Sequence, residues 1–168
     1  SVDMAEYFAA DGWRDILVAF PLNILEIDGL KRLARRARLG VLAEATDWLA
    51  ALAAGAARPV DVWVKVDIGA NRTGLDWNDR AGLARVCGET LRHPRLRLRG
   101  LLTHNGRTYG ARTIEALAAS HADSLGKMRR ARRALEAAGF AGLEISVGDT
   151  PSCSRLGDVE GVDEIRPG

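Results

Sequence analysis

The sequence has 168 residues, of which 47% are hydrophobic, and a formal net charge of +2. This length allows one domain with a sizeable core, the composition excludes a disordered chain, and the charge gives no reason to expect a nucleic-acid partner. No apolar run approaches the roughly 18 residues of a membrane span and no signal-peptide pattern is visible, so we expect no membrane partner.

Strands and helices alternate along the sequence. Short apolar runs predict strands at 16–20, 40–43, 60–67, 97–103, 143–147 and 162–165. Amphipathic or alanine-rich stretches predict helices at 3–12, 23–38, 46–57, 76–91 and 114–138. The second is interrupted at Gly29, and the fourth is capped by Asp76. In the first of these helices, Met4, Tyr7 and Phe8 fall at the i, i+3, i+4 spacing of one helical face.

This alternation indicates parallel β-α-β units within a single domain, residues 1–168. Because a closed eight-unit barrel usually needs about 250 residues, the pattern predicts either a smaller open sheet or a barrel that lacks about two units. The strands at 16–20 and 162–165 would then have unpaired edges, so we expect a homodimer or a self-associating chain of marginal stability.

Two cysteines, Cys87 and Cys153, lack the spacing of a metal site. Cys87 falls on a predicted helix and is interpreted as a small core residue, whereas Cys153 lies in a polar loop. A reducing compartment is the simpler interpretation, and we expect a cytoplasmic location.

The loop after strand 60–67 is the first candidate site. Gly69 and Gly74 frame it, Asp67 opens it as a loop-capping or catalytic carboxylate, and Arg72 offers a permanent charge with a fork of donors. Such an arginine suits phosphate, carboxylate or phenolate oxygens, although a solvated arginine in a surface turn is an equally good interpretation. Lys65, inside the strand, is a candidate active-site or structural ammonium.

Polar side chains also follow three later strands, where parallel sheets place their chemistry. His104 and Tyr109 follow the strand at 97–103, and Arg166 follows the last strand. The loop from Gly148 through Thr150 could offer backbone N–H groups and a hydroxyl to a phosphate, or could be a turn into a short helix. His104 is either a proton-transfer or ring-contact residue or a structural histidine at a strand end.

Four segments, taken together, resemble one family. VKVDIGANRTGLD, GLLTHNGRTYG, SVGDTPSC and DEIRPG occur in the order and with the spacing of the alanine-racemase-like, fold-type-III pyridoxal-phosphate (PLP) enzymes. The last three segments are similar to those of the D-threonine aldolase and D-serine dehydratase branch. The resemblance implies an α/β fold, a partial (β/α)8 TIM-type barrel of about six of the eight units, with PLP at its mouth.

The resemblance also assigns cofactor contacts. It places Arg72 at the phenolic oxygen of PLP, His104 beside the pyridine ring and Tyr109 near the ring nitrogen. Gly148 and Thr150 would hold the phosphate, and Arg166 would lie near the site. His104 is also the one catalytic candidate.

Two departures from the family pattern matter. The family's Schiff-base lysine lies in an H-x-K-T-H-K-like segment of the first barrel strand, and the three lysines here, Lys31, Lys65 and Lys127, do not match it. The branch's metal ligands lie in a C-terminal β-domain, so a divalent metal is expected in the intact parent only. Asn105 and Arg107 replace the usual small residue and histidine beside the His–Gly pair. We therefore expect a truncated chain that is inactive on its own.

For the intact parent, the resemblance implies a PLP-dependent lyase that acts on a small-molecule D-amino acid, first of all a D-threonine aldolase. A D-serine dehydratase or an amino-acid racemase of the same fold is the enzymatic alternative. A non-catalytic PLP-binding protein and an unrelated barrel that binds a phosphorylated metabolite are alternatives from other classes.

Overall fold

The computed structural model describes residues 1–157 and 159–168. Its α-helices are α1 Val2–Ala10, α2 Ile27–Leu33, α3 Leu49–Gly55, α4 Arg80–Leu91, α5 Ile114–Ala137 and α6 Thr150–Arg155. Its strands are β1 Asp15–Pro21, β2 Arg38–Ala43, β3 Val60–Asp67, β4 Leu75–Asp76, β5 Leu96–Leu102, β6 Glu144–Val147 and β7 Glu164–Ile165. Short 3-10 helices lie at Ile24–Glu26 and Gly106–Gly110.

The strands follow the order β1-β2-β3-β5-β6-β7, and the short β4 pairs with β3. The pairs β1–β2, β2–β3, β5–β6 and β6–β7 are parallel. Each strand in the predicted set is therefore confirmed, and so is the parallel β-α-β pattern. In the described residues, no helix is both long enough and apolar enough to cross a membrane.

The chain forms two compact units, of which the first comprises Ser1–Val64 and Arg85–Arg99. Within it, Leu39 of β2 pairs with Ile16 of β1, and Val41 pairs with Val62 of β3. β2 and β3 are buried along almost their whole length, which explains why they read as continuous apolar runs. At their amino ends, the buried carboxylate of Asp61 accepts hydrogen bonds from Arg38 and Arg97, each at 2.8 Å.

The helix predicted at 3–12 is confirmed, but its buried face is a different one. Val2, Ala5 and Ala9 pack inward, whereas Met4, Tyr7 and Phe8 are exposed. A helical spacing identifies an apolar stripe but does not decide which stripe contacts the core, because that depends on the neighbouring elements.

Two other helix predictions need correction. The helix predicted at 23–38, with an interruption at Gly29, is confirmed only over α2. Gly29 lies inside α2, a 3-10 turn precedes that helix, and it ends at Leu33 before the chain turns into β2. The expected cap of the fourth helix is wrong. The Asp76 carboxylate accepts from the Asn78 N–H at 2.7 Å, and it is Asp79 that accepts from the Gly82 N–H, at 2.9 Å, in the first turn of α4.

The second unit comprises Lys65–Ala84 and Gly100–Gly168. Leu101 of β5 pairs with Ile145 of β6, and Val147 of β6 pairs with Ile165 of β7. The long helix α5 is capped by the Thr113 hydroxyl, and its buried face includes Leu125 and Met128. The carboxyl ends of β3, β5, β6 and β7 all belong to this unit, and so do the predicted site residues.

Candidate functional site

The loop after β3 is held by one carboxylate. Asp67 accepts hydrogen bonds from the backbone N–H groups of Gly69, Ala70 and Asn71 at 2.8–3.2 Å. Gly69 has a φ of +107° and Asn71 a φ of +53°, which are left-handed conformations that favour glycine and asparagine. Asp67 therefore has the loop-capping role, the first of the two that the sequence allowed.

Arg72 lies on this fixed loop and is exposed. Within the described part of the chain, its guanidinium has no hydrogen-bond or ion-pair partner. It lines a cavity of about 190 Å³ together with Lys65, His104 and Arg107. The Lys65 side chain is buried, and its ammonium donates to the Val66 carbonyl oxygen at 3.3 Å.

No acidic side chain lines this cavity among the described residues. Small residues, Gly69, Ala70 and Gly106, form much of the remaining wall and keep the space open. A cavity lined by several basic side chains and, among the described residues, by no carboxylate is suited to an anionic ligand.

The side chain of His104 connects the carboxyl ends of β5 and β6. Its Nδ1 lies 2.9 Å from the carbonyl oxygen of Gly148, and because a carbonyl only accepts, Nδ1 carries the hydrogen and Nε2 is the free position of the neutral ring. Burial lowers the pKa of His104 below its ordinary value, and the charges of Arg72 and Lys65 lower it further, although the hydrogen bond to Gly148 opposes them. The ring is therefore neutral at pH 7.

Tyr109, on the 3-10 helix Gly106–Gly110, joins His104 to the loop after β6. The two rings lie 5.8 Å apart between centroids with a 38° tilt. The backbone N–H of Thr150 donates to the Tyr109 hydroxyl at 3.4 Å. The short-helix interpretation of the segment after Gly148 is correct, since α6 begins at Thr150.

Asp149 caps α6. One of its carboxylate oxygens, Oδ1, accepts from the Ser152 N–H at 2.9 Å and from the hydroxyls of Ser152 and Thr108 at 2.7 Å each. Sequence reasoning treated Asp149 only as part of a loop, although an aspartate just before a first helical turn that contains proline is a typical capping signal.

The side chain of Arg166, which follows β7, contacts residues at the carboxyl ends of β5 and β6. Its guanidinium donates to the Ser146 hydroxyl at 2.9 Å and to the Thr103 carbonyl oxygen, and lies 3.6 Å from a Glu164 oxygen. Burial lowers the pKa of this guanidinium, an effect that Glu164 opposes. Gly148 lies against its backbone, since a Cβ at Gly148 would be 2.3 Å from the Arg166 carbonyl oxygen.

The structure thus places the six predicted cofactor residues in one compact unit. Arg72 and His104 share the cavity, and contacts link His104 to Gly148 and to Tyr109, Tyr109 to Thr150, and Gly148 to Arg166. Their roles toward PLP stay predictions.

Sequence reasoning missed a charged cluster at the edge of the cavity. Asp123 of α5 lies 3.0 Å from Arg107 and 2.8 Å from Lys127. The i, i+4 spacing of Asp123 and Lys127 is a signal that could have indicated half of this cluster.

Comparison with known proteins decides the family. The model of the alanine racemase N-terminal domain matches residues 8–168. The chain belongs to the alanine racemase N-terminal domain family. This result confirms the resemblance that the four sequence segments indicated.

Among curated members of this family, D-threo-3-hydroxyaspartate dehydratase from Delftia sp. (strain HT23) is 33% identical over 168 residues, which are 98% of this chain and 44% of that protein. Its crystal structure matches with a TM-score of 0.87 and 32% identity, over 99% of this chain and 45% of that one. D-threonine aldolase from Filomicrobium marinum matches with a TM-score of 0.88 and 25% identity, over 100% of this chain and 46% of that one.

These likenesses confirm the α/β fold class, a partial (β/α)8 barrel of the alanine racemase N-terminal domain type. The chain spans less than half the length of these two relatives.

Proposed function

We propose that this domain binds PLP and belongs to a lyase that acts on β-hydroxy-D-amino acids. One observation carries the proposal. At the carboxyl ends of β3, β5 and β6, the structure brings together Arg72, the neutral His104 and the loop that begins at Gly148. The names of the relatives, one a dehydratase and one an aldolase, support the lyase class.

The residues present fit PLP by their chemistry. Arg72 has a guanidinium without a partner in the described residues, and it would hold the phenolic oxygen. The backbone at Gly148 and the N–H and hydroxyl of Thr150 would hold the phosphate, because Thr150 is exposed and offers donors that suit that group. His104 would lie beside the ring, Tyr109 near its nitrogen, and Arg166 would fix the strand ends beneath them.

When bound, PLP supplies an electron sink for the pair released at the substrate Cα. The chain's own residues set the charge around that sink. Arg72 balances the phenolate, and a neutral His104 adds no positive charge beside the ring. Tyr109 would be a non-acidic partner of the ring nitrogen, and such a partner would leave that nitrogen less fully protonated than a carboxylate would.

We do not assign the covalent attachment of PLP to any of the three lysines of this chain. Lys31 forms an ion pair with Asp28, and Lys127 forms one with Asp123 and donates to the Ile68 carbonyl. Lys65 is the one lysine that lines the cavity among the described residues, and we assign to it the supporting role that the family resemblance implies. We therefore propose that the 168-residue chain binds PLP reversibly and does not turn over a D-amino acid alone.

The dehydratase and the aldolase are both candidates for the intact protein, with the racemase as the weaker alternative. A racemase of Clostridium difficile is 14% identical, a likeness that shows the fold alone. A mutant of a D-threo-3-hydroxyaspartate dehydratase has been solved in a metal-free form. In the described residues no group of three or more His, Cys, Asp or Glu side chains could hold a metal ion, so we propose that any metal ligands of the intact protein lie elsewhere.

The test is PLP titration of the purified chain, followed by borohydride reduction and peptide mass mapping. We expect reversible binding with no single reduced lysine. Arg72→Ala should weaken PLP binding about tenfold or more, since it removes a charge-assisted contact. Arg133→Ala, an exposed arginine of α5, is the matched control and should bind as the wild type does.

Two results would contradict the proposal. A specific reduced adduct on Lys65 would mean that the covalent lysine lies in this chain. No PLP binding at all would favour a barrel that binds another phosphorylated metabolite.

A further inference from the structure

A second cavity lies beside α5 and α6, apart from the cavity that Arg72 lines. It has a volume of about 290 Å³ and is lined by residues of the connection before α5, of the first turn of α5 and of α6. Among the described residues, the two cavities share none of their lining. Sites for small molecules usually hold roughly 300–1,000 Å³, so the size of this cavity suits a small ligand.

Two arginines from different elements line this cavity. Arg112 lies on the connection before α5, and Arg155 lies in the last turn of α6. Both are exposed, and within the part of the chain that the structure describes neither guanidinium has a hydrogen-bond or ion-pair partner. The described lining residues include no acid. Two guanidiniums that share a cavity without a counter-ion favour a ligand with negative charge.

This lack of partners is not general among the arginines of the unit. Arg107 lies 3.0 Å from the Asp123 carboxylate, and Arg132 lies 3.8 Å from that of Glu136. The charges of Arg112 and Arg155 are therefore available to a ligand, whereas those of Arg107 and Arg132 are matched within the chain.

The acidic residue in the first turn of α5 is engaged elsewhere. The Glu115 carboxylate is hydrogen-bonded by its own backbone N–H and by the Thr113 hydroxyl, and these bonds lower its pKa. The Thr113 hydroxyl also accepts from the Ala116 N–H at 3.2 Å. The chain thus satisfies the amino end of α5 itself, and the positive charge of the cavity belongs to its arginines.

The rest of the wall is largely apolar. Leu117 is buried, Ile114 is 48% exposed, and Pro151 faces them from α6. The Thr108 hydroxyl lies 2.7 Å from both the Asp149 carboxylate and the Asn105 carbonyl oxygen, so its one hydrogen is already used. Recognition of charge in this cavity therefore depends on the guanidiniums, and an apolar part of the ligand would cover Ile114 and Leu117.

We propose that the Arg112–Arg155 cavity binds a small organic phosphate, that is, a phosphate group attached to an apolar body. A phosphate monoester carries nearly two negative charges on one group at neutral pH, and the donor forks of two arginines match its oxygens. The inference goes beyond the proposed function and does not rest on it, because the lining residues differ from those of the cavity of Arg72.

The test is a titration of the isotope-labelled chain with phenyl phosphate in phosphate-free buffer, followed through amide resonances in two-dimensional NMR. We expect saturable shifts at Ala111, Thr113 and Leu117. Inorganic phosphate should bind about tenfold more weakly, because it leaves the apolar wall uncovered. Phenol, which has the ring without the charge, should leave these resonances unchanged.

Variants identify the residues that hold the phosphate. Arg112→Ala and Arg155→Ala should each weaken the binding of phenyl phosphate about fivefold, since water moderates the contacts of exposed guanidiniums. Arg112→Lys should weaken it less, because it keeps the charge but not the fork. The matched control is Arg133→Ala, an exposed arginine of α5 outside the lining of this cavity, which should bind as the wild type does. The same spectra show whether each variant is folded.

The outcomes separate this inference from the proposed function. Absence of saturable shifts at the three amides, or unchanged affinity in both alanine variants of the cavity, would overturn it. Shifts confined to Gly148 and Thr150 that disappear in Arg72→Ala would place phenyl phosphate at the proposed cofactor site. That result would overturn the inference about the Arg112–Arg155 cavity and leave the proposed function standing.

Discussion

The Nδ1 atom of His104 lies 2.9 Å from the carbonyl oxygen of Gly148, across the carboxyl ends of β5 and β6. This contact fixes the tautomer of the ring, while burial and two neighbouring cations disfavour its protonation. His104 is therefore a group whose pKa is lower in the folded chain than in the unfolded chain.

The first prediction follows from the sign of this shift. As the pH falls below the ordinary histidine value of 6.5, the unfolded chain takes up a proton more readily than the folded chain does. The stability contribution of His104 is thus present above pH 6.5 and is lost as the pH falls through the folded pKa. Denaturant unfolding at pH 8 and pH 5 should show a smaller acid-induced loss in His104→Gln than in the wild type. An imidazole resonance of His104 that titrates at or above 6.5 would contradict this prediction.

The second prediction concerns Gly148. A Cβ there would lie 2.3 Å from the carbonyl oxygen and 2.6 Å from the Cβ of Arg166, so the β6 and β7 ends must separate to admit it. We expect Gly148→Ala to lower the free energy of unfolding by about 1–3 kcal/mol, the usual cost of overpacking. Gly110→Ala is the control, since no heavy atom lies within 4 Å of its Cβ position. Equal stability of the two variants in denaturant unfolding would refute the steric argument.

The third prediction concerns Asp67, whose carboxylate accepts from three backbone N–H groups. Asp67→Ala should lower the free energy of unfolding by about 1–2 kcal/mol and should speed hydrogen exchange at Gly69, Ala70 and Asn71. Asp76→Ala removes one comparable bond, to Asn78, and should cost less. Exchange rates at the three amides that stay at the wild-type values would show that the carboxylate does not hold the loop.

The fourth prediction separates the two cysteines. Burial raises the pKa of the fully buried Cys87 thiol to about 12, whereas Cys153 is partly exposed. Because the thiolate is the reactive form, N-ethylmaleimide at pH 8 should label Cys153 alone in the native chain and both residues in denaturant. Mass mapping reads the sites directly, and native labelling of Cys87 would contradict its burial.

The strands could be predicted from the sequence because parallel strands buried on both faces are continuous apolar runs. Residues 60–67 illustrate this, since every position but the last is buried. The face of α1 could not be predicted, because Tyr7 and Phe8 form as regular a stripe as Val2, Ala5 and Ala9, and only the neighbouring elements decide which stripe is covered.

The ends of the predicted strands also indicated where the candidate site lies, since Arg72, His104 and Gly148 each lie in a segment that begins where a strand ends. The pairing of Arg107 with Asp123 could not be predicted. These residues lie 16 positions apart, on a 3-10 helix and a long α-helix, and their contact depends on how the two elements cross. Asp67 was open to two interpretations, because a carboxylate at the end of a strand can either cap the following loop or take part in catalysis.

The oxygen of Asp149 that receives three hydrogen bonds has a further consequence. It ties Thr108, on the connection after β5, to Ser152, in the first turn of α6, at 2.7 Å each. Ordering one residue of a mobile loop costs roughly 1–2 kcal/mol of conformational entropy. Because these two segments are already ordered by Asp149, a phosphate that binds at the adjoining Gly148–Thr150 loop would not have to meet that cost, and its contacts would contribute more fully to affinity.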